Sequence, residues 1–243
     1  EGFAKNHLGD RTSLDLVGEQ NDLFAAMKAT GKPVVVCAIN GRPPSYPAVV
    51  DGANALIECW YPGQEGGTAM ADILFGDVNP GAKLPVTVAR DAGQIPIFYN
   101  RKPSSRRGYL FADASPLFPF GFGLSYTKFV FGPPRLSASR IGVGGDVTVE
   151  VDVRNVGNVA GEEVVQLYVH DQTASVTRPL KELKGFERIA LAPGESRTVR
   201  LTIGPEAFAL WNLDMREVVE PGLFDIMVGP DSATLQTVTL EIA

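Results

Sequence analysis

Candidate chemistry begins at the glycine-rich stretch PGQEGG, residues 62–67, which stands before a short helical pattern. Backbone amides at the start of a helix are unpaired, so Gly66 and Gly67 could receive an anion there. The stretch has no Lys or Ser/Thr in Walker positions, which excludes a P-loop. The alternative is that the glycines permit close helix–sheet packing while Glu65 complements the positive end of the helix dipole. We favour this packing interpretation.

A basic group in a later segment offers a second place for chemistry. It lies beside Tyr99 and Tyr109 and consists of Arg101, Lys102, Arg106 and Arg107. Such a group could contact a polar ligand or a neighbouring domain, whereas a solvated loop is the more common meaning. No Gly-x-Ser-x-Gly elbow or Ser/His/Asp set accompanies it, so the residues by themselves give no complete active site.

Cysteine and histidine spacing gives no metal site. Cys37 and Cys59 each stand inside an apolar run, which predicts small buried hydrophobes. A disulfide between neighbouring parallel strands is the alternative. The two histidines, His7 and His170, lie far apart, and no Cys/His spacing resembles a zinc motif. We therefore predict neither a metal nor a cofactor.

The composition is that of an ordinary globular protein and narrows the classes of partner. The 243 residues are 44% hydrophobic and carry a net charge of −6, which argues against nucleic acid or an anionic membrane surface as partner. No run of 18 or more apolar residues occurs, so we expect no membrane span. Glu1 rather than Met comes first and no signal-peptide pattern follows. We expect a processed product or a piece of a longer protein.

The first part of the chain has the alternation of an α/β domain. Helical spacing predicts helices over residues 18–32 and 65–76, whereas β-branched and apolar runs predict strands over 33–39, 53–61 and 83–88. The continuous run PVVVCAI is typical of a parallel strand covered on both faces. Strands alternating with helices indicate βαβ units with right-handed crossovers.

The spacing of the apolar residues changes further along the chain. Residues 89–131 are rich in Pro, Gly and aromatic residues and predict a long ordered excursion held by aromatic packing. Beyond it, apolar and polar residues alternate, as in DVTVEVDVRNVG, and turn signals separate the alternating segments. This pattern predicts a β-sandwich of about seven strands. The predicted domains are therefore residues 1–131, which include the excursion, and residues 132–243.

Seven motifs then occur in one order: LGDRTSLDLVGEQNDL, GKPVVV, NGRP, WYPGQEGGTAMADILFGDVNPGAKLPVT, PLFPFGFGLSYTKF, RPLKELKGFERIALAPGES and EPGLFDIMVG. Together they resemble the C-terminal half of bacterial glycoside hydrolase family 3 enzymes, the β-glucosidase and β-xylosidase group. The resemblance runs through essentially all 243 residues. A single short match would be a weak signal, but seven in register are specific.

The resemblance implies a protein of three parts: a (β/α)8-like barrel, an α/β sandwich domain and a fibronectin type III-like sandwich. This chain resembles most of the second part and all of the third. The expected fold is an α/β sandwich with a mostly parallel sheet, followed by an all-β immunoglobulin/fibronectin III-like sandwich. PGQEGG then belongs to the scaffold, and an apolar face is expected where the barrel or missing strands dock.

The implied reaction is retaining hydrolysis of a terminal β-linked sugar, foremost a β-glucoside. Two carboxyl groups about 5–5.5 Å apart perform it, without metal or cofactor. In the family the nucleophile is an aspartate of the barrel, in a Ser-Asp-Trp-type stretch. No such stretch occurs here, because Asp231 is followed by Ser in a turn of the sandwich. The chain by itself is therefore predicted to be inactive.

The acid/base of the family is a glutamate on a variable loop shortly before a Gly-Asp-Arg-type segment. Glu1 is the only glutamate upstream of Arg11 and is the candidate general acid/base. The alternatives are an acid/base upstream of residue 1, or a loop carboxylate with no catalytic role. The resemblance makes Asp10 and Arg11 the residues that fix the loop, with Asn40 and Arg42 as further support.

A free α-ammonium on Glu1 would weaken it as an acid. An opposite charge a few Å away lowers the pKa of a carboxyl, whereas a general acid needs its pKa raised. In a longer chain an amide would stand in that place. The excursion contributes further candidates, since Arg106, Arg107 and Tyr109 could approach the outer part of the sugar site.

The alternative function is a non-catalytic carbohydrate-binding or structural interaction module. An exposed platform of Trp211, Tyr168 and Phe208 would indicate it, and burial of all three would count against it. The expected partners are a β-linked oligosaccharide or glucoside and the missing barrel, in the same polypeptide or as a nicked partner chain. Because the family is often exported in bacteria, the expected location is periplasmic or secreted.

Overall fold

The computed structural model describes residues 11–104, 108 and 110–243. The chain divides into two compact units. The first is built from residues up to Val78, with Val86–Ile97 and Asp113–Phe118. The second comprises Asn79–Pro85, Phe98–Ala112 and Pro119–Ala243. The boundary between residues 131 and 132 stays a prediction, because the excursion contributes to both units.

The first unit is an α/β structure. Its helices are α1 (Gln20–Ala29), α2 (Pro47–Gly52) and α3 (Gly66–Phe75), and its strands are β1 (Val35–Ala38) and β2 (Ala55–Glu58). The strands pair in parallel, with Ala38 opposite Glu58. Gly76 ends α3 with a φ of 86°, a left-handed conformation that glycine adopts without steric cost. The two predicted helices and the first two predicted strands are therefore confirmed.

The strand predicted over residues 83–88 is wrong. Val88 makes a single antiparallel bridge to Phe118, and its N–H donates to the carbonyl oxygen of Phe118 at 2.9 Å. Pro85 has no N–H, so a regular ladder is interrupted there. Helix α2 was not predicted, because PAVVDG is too short to display a helical period, although Pro47 is well suited to a first helical position.

One side of the first unit exposes more apolar surface than its sequence predicts. Val35 of β1 and Ile39, which follows that strand, are 46% and 58% exposed. Leu23 and Met27 of α1 are 62% and 48% exposed. A continuous β-branched run normally indicates burial on both faces. Here α1 and β1 instead line an open groove, so the prediction that β1 is covered on both faces is wrong.

The second unit contains a β-sandwich. One sheet has the order β5-β13-β12-β7-β8, and in the other β6 pairs antiparallel with β3, β4 and β9. A short antiparallel pair, β10 and β11, stands apart from both sheets. The strand bounds are β3 (Phe129–Phe131), β4 (Arg135–Leu136), β5 (Arg140–Ile141), β6 (Val147–Asn155), β7 (Gly161–Asp171), β8 (Glu182–Leu191), β9 (Ser196–Ile203), β10 (Leu210–Trp211), β11 (Glu217–Val218), β12 (Gly222–Gly229) and β13 (Gln236–Ile242).

Alternation along the strands builds the core of the sandwich. Val147, Val149, Val151 and Val153 of β6 are all buried, whereas the residues between them are not. A period of two sends alternate side chains to opposite faces, so this strand presents one apolar face to the other sheet. The β-sandwich predicted from the alternation is confirmed, although its two sheets contain nine strands among the described residues where about seven were predicted.

Aromatic residues of the excursion pack within the second unit. Tyr99 stacks on Phe120 with ring centroids 4.3 Å apart and meets the edge of Tyr168 at 5.7 Å. Its hydroxyl oxygen also accepts a hydrogen bond from the backbone N–H of Leu183 at 3.2 Å. Aromatic pairs in such arrangements stabilise beyond their buried area by about 0.5–1.5 kcal/mol. The prediction of an excursion held by aromatic packing is confirmed for these residues.

Asp171, at the end of β7, is a buried carboxylate with an incomplete set of partners. Its Oδ1 accepts the backbone N–H of Thr173 at 3.1 Å, while its Oδ2 is buried and accepts no hydrogen bond from the described residues. Burial raises the pKa of Asp171, and the nearby Glu220 adds to that effect. The folded state therefore holds this proton more tightly than the unfolded chain, and stability is lost as pH rises through the folded-state pKa.

We expect Asp171→Asn to stabilise the protein at neutral pH. The amide oxygen can still accept the Thr173 N–H, whereas the buried charge is gone. The expected change is a rise in Tm of about 2–4 °C at pH 7 that shrinks as pH falls toward the range where the wild-type carboxyl is protonated. Thermal unfolding at several pH values measures it, with Asp214→Asn on an exposed turn as control. An equal rise at every pH would contradict this explanation.

No helix among the described residues combines the length and the apolar character needed to cross a membrane.

Candidate functional site at the carboxyl ends of the parallel strands

Several polar side chains converge at the carboxyl ends of β1 and β2. In open α/β sheets this edge is where ligands bind. The pairing continues past both strands, since Cys59 N–H donates to Ala38 O at 2.8 Å and Asn40 N–H donates to Trp60 O at 3.3 Å. The segments that follow the two strands therefore leave the sheet side by side.

Glu58, the last residue of β2, joins three segments through its carboxylate. Its Oε1 accepts the Asn40 Nδ2–H at 2.7 Å, and its Oε2 accepts the Tyr46 hydroxyl at 2.7 Å. The backbone N–H of Trp60 points to the same Oε1 at 3.4 Å. Hydrogen bonds to an ionised acceptor are roughly twice as strong as neutral ones. Glu58 thus fixes the segment after β1, the start of α2 and the turn after β2 relative to one another. We call Asn40, Tyr46, Glu58 and Trp60 the Glu58 cluster.

The hydrogen-bond chemistry fixes the orientation of the Asn40 amide. An ionised carboxylate only accepts hydrogen bonds, so the NH₂ group of Asn40 must face Glu58. The carbonyl Oδ1 then faces away. This atom is buried and accepts no hydrogen bond from the described residues. A buried acceptor without a donor costs about 1–3 kcal/mol.

The turn after β2 is strained. Trp60 has a φ of 52°, in the left-handed region that bulky residues seldom adopt. The residue after Trp60, Tyr61, packs against Gly41. A Cβ built at Gly41 would stand 2.3 Å from the Tyr61 hydroxyl oxygen, so only glycine fits there. Strained backbone of this kind persists where neighbouring contacts enforce it, and it concentrates at functional sites.

A groove of about 1030 Å³ opens beside the Glu58 cluster. Its polar lining includes Arg11, Asn40 and Arg42, and most of the remaining lining is apolar. The Nε atoms of both arginines are buried. Most of the apolar lining comes from α1, β1 and their flanking residues, with additions from α2 and β2: Leu16, Val17, Leu23, Phe24, Met27, Val34, Val35, Val36, Cys37, Ala38, Ile39, Pro44, Val49 and Leu56.

The structure brings together three of the residues proposed to support the catalytic loop. Arg11, Asn40 and Arg42 line the same groove although 29 or more positions separate the first from the other two. The segment after Arg11 is also anchored at this edge, because Ser45 N–H donates to Leu14 O at 2.8 Å. Glu1, Asp10, Arg106, Arg107 and Tyr109 lie outside the described residues.

Comparison with known proteins decides the family. Residues 1–126 match the family model described as the glycosyl hydrolase family 3 C-terminal domain, and residues 163–232 match the fibronectin type III-like domain. The chain belongs to glycoside hydrolase family 3. The α/β unit and the β-sandwich are thus the family's C-terminal domain followed by its fibronectin type III-like domain.

Relatives of this family 3 chain carry glycosidase names. It is 49% identical to a β-xylosidase of Formosa agariphila over 96% of its own length and 33% of the relative's. It is 43% identical to a periplasmic β-glucosidase of Salmonella typhimurium, covering all of this chain and 33% of that protein. A solved β-glucosidase structure from Erythrobacter marinus superposes with a TM-score of 0.96 at 47% identity, covering 100% of this chain and 32% of the other. The chain therefore spans about a third of the length of these proteins.

The Cys59 thiol of the family 3 chain is not suited to nucleophilic chemistry. Burial raises the pKa of the Cys59 thiol to about 11, and the neighbouring Cys37 and Glu58 add to the rise. A thiol with so high a pKa is almost entirely protonated at neutral pH, and the thiolate is the reactive form. Cys37 and Cys59 are both free and partly buried.

Metal ligands do not assemble in the described part of the family 3 chain. No three His, Cys, Asp or Glu side chains of these residues lie close enough together to hold a metal ion.

The three aromatic residues considered as a sugar-binding platform do not share a surface. Tyr168 and Phe208 are 0% and 3% exposed, and both lie in the interior of the second unit. Trp211 on β10 is 58% exposed. A platform needs several rings on one face, so the residues named from the sequence do not form one.

Sequence reasoning missed Glu58 and Tyr46. Both stand in largely apolar surroundings in the sequence, and ALIECWY was interpreted only as a buried strand. A glutamate inside such a run is itself a signal, because Glu is almost never buried unless it is paired. The partners that pair it come from elsewhere in the chain, so their identity required the fold.

Proposed function

We propose that this chain is the part of a retaining, exo-acting β-glycosidase that supplies the general acid/base, while the nucleophile belongs to the remaining part of the protein. One observation carries the proposal: 96–100% of the chain aligns with about a third of the length of proteins named as β-xylosidase and β-glucosidase. Glu1 is the proposed acid/base, with Asp10 and Arg11 fixing its loop.

The reaction needs two carboxyl groups in different states. A carboxylate oxygen attacks the anomeric carbon, the glycosidic C–O bond breaks, and the leaving oxygen takes a proton from the acid/base. The acid/base, now ionised, then removes a proton from water as that water attacks the same carbon. The bond between sugar and nucleophile breaks, and both carboxyl groups return to their starting states.

The geometry at the carboxyl edge of β1 and β2 supports a role in holding the acid/base loop. Arg11 follows directly on the proposed loop and lines the groove together with Asn40 and Arg42. The Glu58 cluster gives this edge a fixed shape through two hydrogen bonds of 2.7 Å. We assign Asn40 and Arg42 to support of the loop, and Arg106, Arg107 and Tyr109 to the outer part of the sugar site.

The proposed substrates and partners follow from the names of the relatives. The substrate is a terminal β-linked sugar of an oligosaccharide or glucoside, with β-glucoside as the first choice and β-xyloside as the second. The proposed partner is a barrel domain that contributes the nucleophile. The Salmonella typhimurium relative is named as a periplasmic β-glucosidase, which supports a periplasmic or secreted location.

We expect the complete protein to hydrolyse 4-nitrophenyl β-glucoside or β-xyloside without added metal or cofactor. Catalysis by two carboxyl groups requires neither, so prior treatment with EDTA is expected to leave kcat unchanged. Release of nitrophenolate measures the rate, and proton NMR of the first sugar released gives its configuration. The proposal predicts the β anomer, because two successive displacements retain configuration. An α anomer as first product, or cleavage of neither substrate, would overturn it.

A further inference from the structure

We propose that Glu58 is a positioning residue for the acid/base step, acting through Asn40 and Tyr46 on the segment that begins at Arg11. The inference rests on the proposed function above. Glu58 does not contact the sugar in this proposal and takes no proton from it. It holds the edge of the sheet on which the segment after Arg11 is anchored.

The contacts form a continuous path from Glu58 to that segment. Glu58 Oε2 holds the Tyr46 hydroxyl at 2.7 Å. Tyr46 follows Ser45, whose N–H donates to Leu14 O at 2.8 Å and which bridges in parallel to Asp15. Displacing Tyr46 therefore displaces the partner of the chain just after Arg11.

The phenol of Tyr46 is a dependable donor in this path. Its side chain is 4% exposed, and burial raises the pKa of Tyr46 well above its usual range, with the hydrogen bond to Glu58 adding to the effect. The phenol therefore stays protonated throughout the range in which the enzyme would work. A protonated phenol facing a carboxylate can only donate, so the bond has a single polarity.

Glu58 also fixes the amide of Asn40, a residue that lines the groove. Because Glu58 takes the NH₂ of Asn40, the Asn40 Oδ1 is held facing away from Glu58, buried and without a donor among the described residues. Glu58 also faces the N–H of Trp60, whose φ of 52° is strained. One carboxylate thus fixes both a buried acceptor that has no donor among the described residues and a strained turn, and strain of this kind clusters at functional sites.

Glutamine at position 58 separates these effects from loss of the fold. Gln has nearly the same shape as Glu but replaces one acceptor oxygen with NH₂, so it cannot accept from both Asn40 and Tyr46. The new NH₂ faces either Asn40, where two NH₂ groups would meet, or Tyr46, whose hydroxyl must then turn to accept instead of donate. In both orientations the charge-assisted hydrogen bonds at 2.7 Å are lost. Misplacement of a reacting group by about 1 Å can cost about 100-fold in rate, although the residue itself makes no contact with substrate.

The experiment compares two leaving groups in the complete protein. A phenyl β-glycoside needs protonation of its leaving oxygen, whereas a 2,4-dinitrophenyl β-glycoside hardly does, so only the first reports on the acid. We expect Glu58→Gln to lower kcat/KM for the phenyl glycoside about 10- to 100-fold and to change that for the dinitrophenyl glycoside less than about threefold. Glu65→Gln, the same change on an exposed side chain, is the control and is expected to alter neither.

Tyr46→Phe provides a second variant that leaves the carboxylate intact. It removes one donor to Glu58, and we expect the same selective loss at a smaller size, about 3- to 10-fold. Equal losses for both glycosides, or no loss in either variant, would overturn the inference while leaving the proposed function standing. Cleavage of neither glycoside by the unaltered protein would overturn the proposed function and the inference together.

Discussion

Replacing Glu1 with Gln in the complete protein is expected to lower kcat for a phenyl β-glycoside by about 10²- to 10⁴-fold. General acid–base groups contribute rate enhancements of this size, and Gln can neither give a proton to the leaving oxygen nor take one from water. The loss is expected in kcat more than in KM, because the proton is needed in the transition state and not for binding. Steady-state kinetics with the phenyl and dinitrophenyl glycosides measure it.

The control for Glu1→Gln is Glu19→Gln, which makes the same change at an exposed position next to α1. We expect this variant to retain the wild-type kcat and KM. If Glu1→Gln also keeps the wild-type rate on the phenyl glycoside, Glu1 is a loop carboxylate and the acid/base lies elsewhere in the protein. In that case, if Arg11, Asn40 and Arg42 support a catalytic loop at this edge, the catalytic residue on that loop is not Glu1.

The second large effect concerns the chain by itself, which is expected to hydrolyse no aryl β-glycoside above the rate of the buffer. Double displacement begins with a nucleophilic carboxylate about 5–5.5 Å from the acid. Asp231, the aspartate followed by Ser, cannot be this nucleophile. The residue is only 6% exposed, and its Oδ1 accepts hydrogen bonds from the backbone N–H groups of Ala233 and Thr234, both at 2.7 Å. The measurement is nitrophenolate release by the purified 243-residue chain.

A control with the complete protein excludes an inactive preparation. Both proteins are assayed on the same 4-nitrophenyl β-glucoside and β-xyloside, at equal molar concentration and over the same pH range. Robust cleavage by the short chain, in proportion to its concentration, would mean that this chain contains a nucleophile and that the proposed division of the two carboxyl groups is wrong.

The sandwich could be predicted from the sequence because its signal is local. Along β6 the alternation of Val with polar residues is enough to define a buried and an exposed face, whatever the strand pairs with. The helix α3 was predicted for the same reason, since Gly76 marks its end with a left-handed conformation that other residues avoid. The strand predicted over residues 83–88 was wrong because the apolar residues there have the composition of a strand, whereas Pro85 lacks the N–H donor that a strand ladder needs.

The burial of a side chain and the identity of its hydrogen-bond partners depend on residues distant in the sequence, so neither could be predicted. The run PVVVCAI predicts β1 but not the 46% exposure of Val35, because that exposure depends on what packs against the strand. Asn40 was a candidate from the family resemblance, yet its partner Glu58 is 18 residues away at the end of β2. Side chains that converge through pairing register leave no short motif for the sequence to display.

The measurement that tests the central claim most directly is the product formed by the Glu1→Gln protein from a 2,4-dinitrophenyl β-glycoside in the presence of azide. This leaving group departs without protonation, and azide attacks without a general base, so the two steps that need Glu1 are bypassed. If this chain supplies the acid/base and the rest of the protein the nucleophile, the product is the β-glycosyl azide, with rate restored as azide concentration rises. Free sugar as the sole product, at a rate that azide does not change, would contradict the account.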